Sequence, residues 1–135
     1  MKKCTSCVAC PYMKELKKIA TKDGVWKINK RVDSNTWRKK HNIYLLECDK
    51  TNWKEKYIGE TERYFKERVK EHIGYTRTNK LNQSSGYHFN LLGHSIHNMK
   101  FTIVEKVKSS DSIYRREKYF IDTFDTFRNG MNKKP

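Results

Sequence analysis

Two short β-rich runs, 43–47 and 56–58, flank a polar turn in the stretch HNIYLLECDKTNWKEKYIGET at residues 41–61. Branched and aromatic residues on either side of such a break pair as an antiparallel hairpin. The pairing sets a sheet near the middle of the chain, and everything after it must pack against that sheet. Each run carries a tyrosine, Tyr44 and Tyr57, and the second ends at Gly59. A hairpin has no need of phenols at those places, so they call for a chemical reason.

The elements that follow are legible from periodicity. Residues 61–75 read as a helix, with Thr61 as its N-cap and Phe65, Val69 and Ile73 one turn apart. After a polar loop over 76–86 comes a short helix ending at Gly93. A strand over 100–108 places Phe101, Ile103 and Val107 on one face, and a last helix runs from Ser110 to about Phe124. The tail RNGMNKKP is loop-like. This order, β-β-α-(α)-β-α, predicts an α+β fold in which a small sheet is covered by helices. Ahead of it, residues 1–41 form a basic, cysteine-bearing extension with an amphipathic stretch over 13–19 and a strand near 25–28, leaving 42–135 as the main domain.

Charge sets the partner class. The formal net charge is +15 and the sequence pI about 9.7, which points to a polyanion, with nucleic acid as the default. The excess is uneven: residues 1–41 carry a net +9 and the remaining residues +6. Hydrophobic content of 36% with 13% aromatics suffices for one modest core. No apolar run approaches the ~20 residues of a membrane span, and the N-terminus lacks the apolar region of a secretory signal. An intracellular, reducing setting is therefore expected, in which the four cysteines serve as thiols or metal ligands.

Polar groups on apolar faces locate the chemistry. In the last helix, Ile113, Phe120, Ile121 and Phe124 form one stripe with Glu117 at its centre. A carboxylate facing a core costs several kcal/mol unless it is paired or bound to a metal. It is either in an ion pair with an arginine of the other helix or a site carboxylate. In the middle helix, Arg68 and His72 stand one turn apart on the side of Phe65. With two tyrosines added, the set suits phosphodiester hydrolysis. The carboxylate can hold one divalent metal, the arginine can neutralise charge on the phosphate, and a tyrosine or histidine can take the proton of water.

Read together, these residues resemble a known family. Asn42-Ile43-Tyr44 stands where the first motif of the GIY-YIG nuclease superfamily lies, and Tyr57-Ile58-Gly59 is the second motif verbatim. Arg68 and His72 follow in KERVKEH, Glu117 in RREKYFI and Asn132 in GMN. The wording is closest to the endonuclease domain of Penelope-like retroelements, through IYLLEC, YIGET, the His88 and His94 pair and the upstream CxxCP at 7–11. The resemblance implies a mainly antiparallel sheet of about three strands, and a nuclear enzyme that cleaves DNA with one Mg²⁺ or Mn²⁺ ion. In its terms Tyr44 or Tyr57 activates water, Arg68 stabilises the transition state, Glu117 holds the metal, His72 assists proton transfer and Asn132 supports the site. It also implies partnership with a reverse transcriptase domain or RNA of the same element.

Two departures stand out. Asn42 replaces the first glycine of the motif, and Thr51 occupies the place of a second cysteine that in Penelope-like domains joins Cys48, His88 and His94 around zinc. Separately, Cys4, Cys7 and Cys10 are spaced C-x₂-C-x₂-C, which suits a structural zinc whose fourth ligand is Cys48 or one of His41, His88, His94 and His97. Three free cysteines are the plain alternative. The rival to an active nuclease is a nucleic-acid-binding module on the same fold, with Trp26, Trp37 and Trp53 as stacking surfaces.

Overall fold

The computed structural model describes residues 12–13, 18–21, 24–28, 40–50, 56–80, 82–90, 94–107, 110–126 and 131–132. The expected hairpin forms from two strands longer than their β-rich runs, β3 (Asn42–Cys48) and β4 (Lys56–Thr61), paired antiparallel with Tyr44 opposite Gly59 and Leu46 opposite Tyr57. A further strand, β5 (Met99–Lys106), pairs antiparallel with the free side of β3. The sheet order is thus β4-β3-β5. A separate N-terminal hairpin joins β1 (Lys18–Thr21) to β2 (Gly24–Lys27).

Strand alternation divides the core in two. Tyr44, Leu46 and Cys48 pack with Phe65, Val69 and Ile73 of α1 (Phe65–Arg77), whereas Ile43 and Leu45 pack with Ile113, Phe120 and Ile121 of α3 (Ser110–Phe124). Central β3 is accordingly apolar on both faces, as a strand covered on both sides must be. The short α2 (Ser84–His88) packs beside α1. Met13 joins the first cluster and Ile19 the second, so the described part of the N-terminal segment packs into both.

A register shift in β5 has a consequence for α3. Tyr44 pairs with Ile103 but Ile43 with Glu105, so Val104 is the extra residue of a bulge. Beyond it the alternation inverts, and Glu105 takes both Nε and Nη2 of Arg116 at 2.6 and 2.7 Å. That two-pronged bond fixes the rotation of α3. Met131 and Asn132 bond to the open side of β4. Met131 N–H donates to Lys56 O at 2.7 Å, and the Asn132 amide both accepts from Ile58 N–H (2.7 Å) and donates to Ile58 O (2.8 Å).

Several local expectations are corrected. Thr61 is the last residue of β4, not the cap of α1, which begins after Tyr64 without a side-chain cap. The Thr61 hydroxyl instead accepts from Arg63 N–H at 3.1 Å, closing the turn between strand and helix. The short helix ends at His88, and Gly93 lies outside the described residues. Asn42 is a buried strand residue; the left-handed backbone falls on His41 before it, at φ 61°. Within 13–19 the described ends are a bridge from Met13 to Phe101 and the start of β1. Trp26 is half-buried and sits edge-on to Phe120 and Tyr119, at 5.0 and 5.7 Å between ring centres. Trp37 and Trp53 lie outside the described residues.

Candidate active site

Gly59 makes the first requirement of the site visible. It lies opposite Tyr44, and a Cβ built on it would overlap the Tyr44 ring and hydroxyl and stand 2.7 Å from Tyr57 Cε1. The glycine of the YIG run is there for space: the Tyr44 phenol lies over its backbone.

Tyr44 is fully buried. Arg68 Nε–H donates to its hydroxyl oxygen at 3.0 Å, and that oxygen stands 2.6 Å from His72 Nε2. An arginine can only donate, so the phenol's own proton is directed at Nε2. Burial, and then the Arg68 charge, push His72 well below its ordinary range, so the ring is neutral and accepts. The predicted i, i+4 spacing of Arg68 and His72 thus ends with both residues on one hydroxyl. Tyr57 is half-buried, with ring centres 6.2 Å from Tyr44 and 5.6 Å from His72. Burial raises both phenols above their usual value, against the pull of Arg68. Glu71 completes the surround. It pairs with Arg63 and lies 3.7 Å from Arg68 Nη1.

Glu117 approaches from α3, on the other side of the sheet. Among the described residues it forms no hydrogen bond or ion pair, so the alternative of a pairing with an α1 arginine is not made. It remains close enough to feel Arg68 and the carboxylate of Glu60. Burial and Glu60 push its carboxyl up to about 7, with Arg68 opposing. Glu60 was not legible as a site residue. The signal was there: counted by twos from Ile58, it is a charged residue on the apolar face that meets α3. Asn132 stands apart from the phenols, because both ends of its amide are bonded to the backbone of Ile58. It holds the strand that carries Tyr57 and Gly59.

Cys48, His88 and His94 come together elsewhere on the α1 side. Their ligand atoms lie within 4.8 Å of one another, and Cys48 Sγ is 3.4 Å from His94 Nδ1. Sulfur and nitrogen ligands on a tetrahedral zinc ion stand about 3.3–3.6 Å apart, so the donor set fits that metal. Burial, then His94, push His88 down to about 4, while burial raises the Cys48 thiol. Cys4, Cys7, Cys10 and Thr51 lie outside the described residues.

With this geometry in place, comparison identifies the class. The family model of the GIY-YIG catalytic domain matches residues 40–132, and the chain belongs to the GIY-YIG family. This is a nuclease domain, for which DNA is the implied substrate. Comparisons with curated proteins and with solved structures find no match.

The elevated Glu117 carboxyl predicts a pH-dependent cost. An acid whose folded value is raised to about 7 from about 4.5 contributes stability that is lost as pH rises through that window. Without divalent ions, Glu117→Gln should therefore melt higher than the native protein at pH 8, by about 2–4 °C, and no higher at pH 4. Equal differences at both pH values in a thermal melt would contradict the placement of this carboxylate.

Proposed function

We propose that this protein is an active, metal-dependent DNA endonuclease that hydrolyses phosphodiester bonds through the Tyr44–Tyr57–Arg68–His72–Glu117 cluster. The supporting observation is the Tyr44 hydroxyl, buried between a cationic donor and a neutral imidazole acceptor. Burying such a network is costly unless every member is satisfied, and a module that only binds DNA has no use for it.

Tyr57 is the more accessible phenol, so it faces the attacking water. Its ring centre lies 6.2 Å from that of Tyr44, and Arg68 lowers the cost of charge on its hydroxyl. A proton taken from water at Tyr57 can pass to the Tyr44 oxygen while Tyr44 gives its own to His72 Nε2, which holds it only transiently because burial and Arg68 weaken its basicity. No buried phenolate then forms alone, which matters because burial disfavours one at either tyrosine. Arg68 stays cationic throughout and offsets the charge that develops on the phosphate. Asn132 positions this arrangement through the β4 backbone. Glu117 would hold a Mg²⁺ or Mn²⁺ ion, which when bound would supply Lewis-acid stabilisation of the phosphate oxygens.

The test is cleavage of supercoiled plasmid with Mg²⁺ or Mn²⁺. The native protein should nick it, while Arg68→Ala and Glu117→Ala should each lose about 10²–10³-fold in rate but still retard the DNA. Retardation without cleavage by the native chain would leave a binding module.

We further place the chain closest to the endonuclease domain of Penelope-like retroelements, working in the nucleus beside the reverse transcriptase domain or RNA of its element. The meeting of Cys48, His88 and His94 supports this reading. These residues hold a structural zinc. Native mass spectrometry should find one zinc per chain and a loss of it in Cys48→Ser. A folded, zinc-free native protein would sink this proposal.

A further inference from the structure

Glu60 is a carboxylate beside Glu117 that the proposed chemistry leaves without a task. Strand alternation directs it away from the phenols, since it pairs with Ile43, a residue of the α3-side core. Its Oε2 atom is buried and has no hydrogen-bond partner among the described residues. A buried carboxylate oxygen without a donor is costly, and a chain that only needed to fold would satisfy it or replace it. Arg68 is the nearby cation, but its Nε–H is donated to Tyr44 and its Nη1 lies beside Glu71. Across from Glu60 lies α3, packed on β4 and carrying Glu117.

We propose that Glu60 is a second metal-holding carboxylate of this site, binding the divalent ion together with Glu117. The inference rests on the reading of Glu117 as the metal residue. Two carboxylates are better matched than one to a hard divalent cation, which takes one or two of them and completes its shell with water and phosphate oxygens. An ion between them would neutralise both acids and give the orphaned Oε2 a partner. Placement also favours it. Tyr57 and Glu60 bracket Ile58-Gly59, so one four-residue piece of β4 carries a phenol to the α1 face and a carboxylate to the α3 face. The Asn132 clamp on Ile58 holds both ends in register.

The experiment is an Mn²⁺ titration followed by electron paramagnetic resonance, on full-length protein first loaded with zinc so that the Cys48–His88–His94 cluster is filled. Glu60→Gln should weaken Mn²⁺ binding by at least about tenfold, and Glu60→Asp should recover much of it. Glu117→Gln should weaken it at least as much. Native Mn²⁺ affinity in a folded Glu60→Gln, with affinity lost in Glu117→Gln, would overturn the role of Glu60 alone. Unchanged affinity in both variants would overturn the Glu117 reading and this one with it. Circular dichroism of each variant separates loss of the ion from loss of the fold.

Discussion

The Tyr44 hydroxyl, held between Arg68 and His72, is the interaction on which the rest of the site depends. It requires Gly59 opposite, because a side chain there would occupy the same space. It requires Arg68 and His72 one turn apart, so that one helix can supply a donor and an acceptor to a single oxygen. It also requires dryness, since burial keeps the imidazole neutral. Phe65 and Phe101 supply that, with ring centres 5.4 and 5.8 Å from Tyr44.

The opposite side of the sheet is organised by charge. A bulge in β5 turns Glu105 toward α3, where Arg116 takes it with two hydrogen bonds and also lies over the Tyr119 and Phe120 rings. With Arg116 so fixed, the next residue along the helix, Glu117, is held in place facing the β4 side. Glu60 and Glu117 then stand as two poorly compensated acids, each raised in the first place by burial. The fold bears an electrostatic cost on this side and a satisfied network on the other.

Much of this was legible in the sequence, for identifiable reasons. The hairpin and the last helix carry strong local patterns, and both appear where periodicity put them. Arg68, His72 and Glu117 were noticeable because each breaks an apolar stripe. Thr61 misled because a threonine before a helical run has the chemistry of a cap, while here the strand continues through it and the hydroxyl closes a turn. The reason for Gly59 is purely tertiary: nothing within its own strand says that a ring from β3 will lie across it. Glu60 was hidden by the same rule that exposed Glu117, because a six-residue strand offers too few positions for one misplaced charge to stand out. Asn132 shows the limit of motif reading. Its place in the order was recognisable, but its bonds to Ile58 are long-range contacts that no local signal records.

The central claim is that one buried hydroxyl carries the proton route, and Tyr44→Phe removes that oxygen while keeping the ring. The variant takes the Tyr44 hydrogen bond from both Arg68 and His72, at a cost of about 1–3 kcal/mol. Plasmid cleavage measured beside DNA retardation and a thermal melt tests it directly. The account predicts a folded protein that melts lower, retards DNA as the native chain does, and cleaves at least about a hundredfold more slowly. Native cleavage rates in folded Tyr44→Phe would contradict it.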